Sequence, residues 1–195
     1  AVHLDDLREV EAVAAYAQAR SGGPRVGVGL RVALSLPDTD PPGQLSRFGL
    51  PVADGQLERA IVRLQQAGVW VHTMHMHLTT RRRLVSHFEA AARQLTDAVD
   101  LLGEEGVAEL ERLDLGGGFG YAPERLEGIE MPSFEEYAAA MFGVLEARIP
   151  RLGERTVVLE PGIALFGDVV EAWVPVLSRK RVGGRELVVV DASIH

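Results

Sequence analysis

The sequence predicts an α/β protein built on a parallel sheet, and three observations carry that reading. Short β-branched, apolar segments alternate with amphipathic segments at helical spacing. The alternation recurs at intervals of roughly 40 residues, which implies parallel strands joined by crossover helices. Most segments close on glycine or on a glycine–proline pair, the residues that stop helices and start turns. Four such strands fit either a doubly wound sheet or part of an eight-stranded barrel, and periodicity does not choose between them.

The elements follow in order. Leu7 to Arg20 places Leu7, Val10, Val13, Ala14 and Ala17 on one helical face and stops at Ser21-Gly22-Gly23-Pro24. Val26 to Leu34 reads as a buried strand, followed by a proline-rich loop from Leu36 to about Asp54. Gln56 to Gln66 is an amphipathic helix ending at Gly68. Val69 to Leu78 is the next strand, and Leu84 to Leu102 the next helix, closed by Gly103. Leu110 to Leu115 is a strand running into Gly116-Gly117-Gly118. Ser133, with Glu136 three residues on, opens a helix to about Arg148 by reciprocal capping. Thr156 to Leu159 is a strand ending at Glu160-Pro161-Gly162. Beyond it the pattern changes, and Val169 to Leu177 and Glu186 to Val190 read as strands with no helix between them.

Composition narrows the function classes. There are 28 acidic against 20 basic residues, a formal charge of −8, which argues against a nucleic-acid partner. Cysteine is absent, so disulfides, thiolate metal sites and a cysteine nucleophile are excluded within this stretch. No apolar run reaches the ~20 residues of a membrane-spanning helix, and the first residues lack the basic-then-apolar order of a signal peptide. A soluble, cytoplasmic protein is the expectation. The chain opens without methionine and stops after an apolar strand, so both ends read as cut. Its single lysine is Lys180.

In a parallel α/β fold, function collects at the C-terminal ends of the strands. Those ends read Arg31, then His75-Met76-His77-Leu78-Thr79-Thr80, then Gly116-Gly117-Gly118-Phe119-Gly120, then Glu160-Pro161-Gly162. Contiguous glycines let the backbone approach an anion and offer it several N–H groups, although tight turns also use them. His75 and His77 share a strand face and His72 points to the other. With no carboxylate near them in sequence they make a poor zinc site, which leaves packing or contact with a bound ring. Glu160 is either a turn-capping acid or a partner for a pyridinium nitrogen.

Taken together, Leu30-Arg31-Val32, Ser46-Arg47-Phe48-Gly49, His75-Met76-His77, Leu113-Asp114-Leu115-Gly116-Gly117-Gly118-Phe119-Gly120 and Leu159-Glu160-Pro161-Gly162 resemble the diaminopimelate, ornithine and arginine decarboxylases of the fold-type III class. The resemblance runs from about Leu4 to Asp191. It implies pyridoxal 5'-phosphate as cofactor and a partial TIM-like (β/α)8 barrel of the alanine racemase-like type, leading into a β-rich C-terminal domain. Residues 1–162 would be the second half of the barrel, and 163–195 the crossover and first strands of the β domain. A homodimer with shared active sites and a small amino-acid substrate, but no membrane or nucleic-acid partner, are also implied. By this resemblance His77 stacks on the cofactor ring and Thr80 stands where a serine binds the phosphate. Gly116, Gly117 and Gly118 form the phosphate loop, Glu160 pairs with the pyridine nitrogen, and Arg31 lies near the cofactor. His77 and Glu160 are the candidate catalytic residues, and no metal is expected.

The sequence departs from the family in three places. His77-Leu78-Thr79-Thr80 replaces His-x-Gly-Ser, and Ile163 replaces the arginine of Glu-Pro-Gly-Arg; Arg81, Arg82 or Arg83 either supplies the missing guanidinium or forms a solvated basic turn. The cofactor-bearing lysine of the family would lie on the first barrel strand, whereas this chain starts near the fourth. Decarboxylation of a basic or diamino acid, or a derivative, is the expected function of the parent protein. The alternatives are a catalytically inactive homologue that binds a partner, favoured by Ile163, and a racemase or epimerase, disfavoured by the acid at position 160.

Overall fold

In a computed structural model, the chain is described over residues 2–20, 22–36, 43–80, 82–120, 131–166, 169 and 171–193. It divides into two units, Ala1–Leu165 and Phe166–His195.

The first unit holds five parallel strands in the order β1 (His3–Leu4), β2 (Gly27–Arg31), β3 (Trp70–His75), β4 (Arg112–Asp114), β5 (Thr156–Val158). The fold-class expectation of parallel strands with crossover helices holds, with five strands rather than four. The crossovers are α1 (Leu7–Ala19), α2 (Gln56–Gln66), α3 (Val85–Asp100), α4 (Gly103–Glu109) and α5 (Phe134–Arg148). A short α6 (Gly162–Phe166) follows β5.

Local chemistry sets the helix starts. The Asp6 carboxylate accepts the N–H groups of Arg8 and Glu9 at the start of α1. Ser133 and Glu136 complete the expected capping box of α5. Cross-strand register places Leu4, Leu30, Met74, Leu113 and Val157 side by side. Helix residues of the same buried cluster pack with them, among them Val10, Ile61, Leu64, Phe88, Leu95 and Leu145. Because strand side chains alternate, Arg31, His75 and Asp114, one step along the register, fall on the opposite face. The helices thus take the apolar face and leave the polar one for chemistry.

One element was not anticipated and one expectation is corrected. The helix from Leu84 ends before Gly103, φ +69°, as expected, but a second helix, α4, starts there, and Gly106 fits within it although a Cβ would lie 2.9 Å from Leu102 Cβ. Val169 to Leu177 is not a strand in its described residues before Val176. The extended segment is β6 (Val176–Val182), antiparallel to β7 (Arg185–Val190) across Gly183-Gly184. Pro175 lacks the N–H a ladder needs, and both turn glycines have positive φ, +54° and +80°. Lys180 therefore lies within a strand of the second unit.

Candidate active site

The parallel ladder continues past the strand ends and assembles the site. Val32 N–H donates to the His75 carbonyl, Met76 N–H to Asp114, Leu115 N–H to Val158 and Glu160 N–H to Gly116, over 2.7 to 2.9 Å. Arg31, His75 and Asp114 are consecutive cross-strand neighbours. His77, Gly116 to Gly118 and Glu160 follow on the adjacent ends.

The glycine run is demanded by its surroundings before any ligand is considered. A Cβ on Gly116 would sit 2.2 Å from the Met76 carbonyl oxygen, on Gly117 2.1 Å from that of Glu160, and on Gly118 1.9 Å from that of Leu78. Three backbones thus meet without side chains between them. The N–H of Gly116 donates to Asp114 Oδ1 at 3.0 Å and that of Gly117 to His77 Nδ1 at 3.3 Å. Among the described residues, the next three N–H groups, of Gly118, Phe119 and Gly120, donate to no protein acceptor. Gly118 has φ +92°, a conformation open to glycine. Successive N–H groups in such a turn make an anion-binding concavity. Phe119 is fixed beneath it, stacked on Phe88 at 4.9 Å and edge-on to Tyr137 at 5.5 Å.

Glu160 is half exposed, with Oε2 3.6 Å from His77 Nδ1 and 3.8 Å from His75 Nε2. The absence of a carboxylate near these histidines, expected from sequence, is thereby corrected: folding brings Glu160 and Asp114 beside them. The atoms of His75, His77 and Glu160, and those of His3, His75 and Asp114, lie within 4.8 Å of one another, so both sets offer metal-ligand donors. His75 is 7% exposed, and neither ring nitrogen has a hydrogen-bond partner. Burial pushes its pKa below the usual imidazole range; Asp114 and Glu160 oppose that shift, while His3 and Arg31 add to it.

The remaining candidates are placed as follows. Arg31 lies 3.7 Å from Asp5 and over the Phe48 ring, 4.8 Å from its centroid. The Thr80 hydroxyl is 3.2 Å from His87 Nδ1 and accepts the Arg82 N–H at 3.4 Å. Arg83 donates to the Phe119 carbonyl at 3.3 Å, and Tyr137 donates to the Arg83 carbonyl at 2.6 Å. Arg83 thus braces the glycine loop through its carbonyl side. Arg81 lies outside the described residues. His72 is 2.6 Å from the Thr73 hydroxyl and edge-on to Trp70, with its pKa lowered by burial.

Sequence reasoning gave no role to His3 and Asp114. Asp114, an acid inside the apolar run Leu113–Leu115, was a usable signal. His3, on a two-residue strand, gave none. His3 reaches His75 because Gly29, its register partner on β2, has no side chain: a Cβ there would lie 2.3 Å from His3 Cδ2. The two rings sit 4.9 Å apart.

Comparison with known proteins adds the following. A family profile described as pyridoxal-dependent decarboxylase, pyridoxal binding domain, matches residues 1–167. The diaminopimelate decarboxylase of Aquifex aeolicus is 25% identical over 186 residues, 88% of this chain and 41% of that protein. That of Bacillus subtilis is 29% identical over 154 residues, 77% of this chain and 35% of that protein. A crystal structure of diaminopimelate decarboxylase from Helicobacter pylori complexed with L-lysine superposes with a TM-score of 0.72 at 19% identity, covering 97% of this chain and 46% of that one. The chain spans less than half the length of these proteins. The fold likeness supports the partial barrel expected from the sequence.

Proposed function

This chain belongs to the pyridoxal-dependent decarboxylase family, and from that premise we propose that the protein containing it decarboxylates a basic or diamino acid, or a derivative of one, with pyridoxal 5'-phosphate. The carrying observation is the half-exposed Glu160 carboxylate held beside His77 and next to the run of N–H groups at Gly118, Phe119 and Gly120. Those residues suit the cofactor: an acid for the pyridine nitrogen, an imidazole for the ring, an N–H concavity for the phosphate. When bound, the cofactor supplies an electron sink, which a protonated pyridine nitrogen deepens. Glu160 would hold that proton at the ring nitrogen. Gly117 N–H fixes the His77 ring through Nδ1, leaving its face for stacking. Thr80 and Arg31 would flank the cofactor, as the resemblance implies. The L-lysine of the Helicobacter pylori complex suits a basic or diamino substrate. A cytoplasmic homodimer belongs to the same reading.

Ile163 favours one second reading, a non-catalytic homologue: its apolar side chain, half exposed at the start of α6, offers a phosphate no charge. Borohydride trapping of pyridoxal phosphate on the full-length protein, with peptide mapping, separates the two. The enzyme reading expects one labelled lysine outside residues 1–195. No specific label, or label on Lys180 alone, refutes it in favour of the second.

A further inference from the structure

Among the described residues, His75 is the one buried side chain of the site with both ring nitrogens lacking a hydrogen-bond partner, and the proposed chemistry assigns it nothing. Its surroundings narrow what it can do. His3 from β1, Arg31 from β2 and Asp114 from β4 face it, with Glu160 and His77 above. Glu160 Oε2 has two imidazole nitrogens within 4 Å, His77 Nδ1 and His75 Nε2. They are not equivalent. His77 Nδ1 accepts the Gly117 N–H, so in the neutral ring the proton sits on Nε2 and Nδ1 presents a lone pair to Glu160. A neutral His77 therefore cannot donate to the carboxylate from that nitrogen. Nε2–H of His75 can, without a buried positive charge.

We propose that His75 is the positioning residue of Glu160, donating Nε2–H to Oε2 and leaving the other carboxylate oxygen for the pyridine nitrogen. The inference rests on the cofactor reading above for its purpose, though the contact is a property of this chain alone. A modest rotation of the half-exposed Glu160 closes the 3.8 Å separation to hydrogen-bond length, about 2.9 Å. The His3 ring, admitted by Gly29, packs against His75 and limits its swing.

The test uses the full-length protein and two readouts. In ¹⁵N-histidine NMR without cofactor, wild-type His75 shows the Nε2–H tautomer, and Glu160→Gln shifts its resonances. An Nδ1–H tautomer, or resonances unmoved by Glu160→Gln, overturns the proposal. In pyridoxal phosphate titrations followed by absorbance, His75→Leu raises Kd about tenfold, the worth of one hydrogen bond to a charged group, and moves the pH at which the bound cofactor's band changes. His75→Gln, which keeps an N–H donor at similar reach, recovers most of both. Equal loss in the two variants, with circular dichroism unchanged, would mean packing alone and overturns the proposal. So would a stoichiometric metal ion lost on His75→Gln, since His75 would then be a ligand. If the wild-type protein takes up no pyridoxal phosphate, the cofactor reading fails, and the NMR result still decides the contact.

Discussion

Gly117→Ala is the sharpest test of how the rim is built. The added Cβ would lie 2.1 Å from the Glu160 carbonyl oxygen, a backbone atom that no rotamer change can move aside. Reaching even 3.0 Å needs a displacement of about 1 Å, which strains the Glu160 N–H to Gly116 carbonyl bond, now 2.7 Å. Overpacking of this kind costs about 1–3 kcal/mol, and a weakened hydrogen bond adds about 1 kcal/mol. The expected destabilisation is about 2–4 kcal/mol, read by urea denaturation of the full-length protein. Because the displaced residue carries the candidate carboxylate, cofactor Kd should also rise about tenfold or more, read by fluorescence titration. The control is Gly143→Ala in α5, where nothing lies within 4 Å and alanine should stabilise by about 0.5–1 kcal/mol. A Gly117→Ala protein within about 0.5 kcal/mol of wild type and with unchanged Kd would refute the close-approach account.

Three further outcomes are expected. Ser133→Ala removes the hydroxyl that accepts the Glu136 N–H, one half of the α5 capping box, and should cost about 1 kcal/mol in denaturant unfolding, with no change in cofactor affinity. Phe88→Ala empties the fully buried centre of the Phe88–Phe119–Tyr137 cluster; it should cost about 3–5 kcal/mol and, by loosening Phe119, weaken cofactor binding as well. Asp6 is held below its ordinary value of 3.8 by the Glu9 N–H and then by Arg8. Its contribution to stability is therefore present above that value and lost as pH falls through the lower folded-state pKa. Asp6→Asn keeps the cap acceptor and should flatten the acid limb of the stability–pH curve; an unchanged limb would remove Asp6 from its causes.

What the sequence made legible follows from signal strength. The bounds of α2 match the structure residue for residue, because Leu57, Ala60, Ile61 and Leu64 make one apolar stripe. The α5 start was equally plain from its capping pair. α4 was hidden because Gly103 read as the end of the preceding helix, whereas the structure starts a new helix there and packs Gly106 closely on Leu102. The apolar run from Val169 suggested a strand, but hydropathy alone does not weigh the missing N–H of Pro175, and β6 contains Arg179, Lys180 and Arg181. For the site, the strand-end residues were visible one by one. Their company was not: Asp114 and Glu160 approach His75 only through the register of three strands and the turn after β5.

The two ends of the sheet divide labour, and this separates the site from the scaffold. Before the strands begin, side chains tie backbone and loops together. Arg25 pairs with Glu109, and Arg155 donates to the carbonyls of Leu110 and Val107. Burial pushes the Arg155 pKa down, and the neighbouring Arg151 adds to that shift while Glu154 opposes it. Past the strand ends the arrangement inverts: among the described residues, the ring nitrogens of His75 have no hydrogen-bond partner, Glu160 stands half exposed, and the N–H run of Gly118 to Gly120 donates to no protein acceptor. Polar groups kept from one another in this way forgo stability, and a site that must receive a ligand requires that sacrifice. Arg155→Met should accordingly lower stability, by taking the guanidinium donor away from the carbonyls of Val107, Leu110 and Pro150, while cofactor affinity stays at the wild-type value. A loss of affinity equal to that of Gly117→Ala would show that the two ends are energetically one structure and that the division is false.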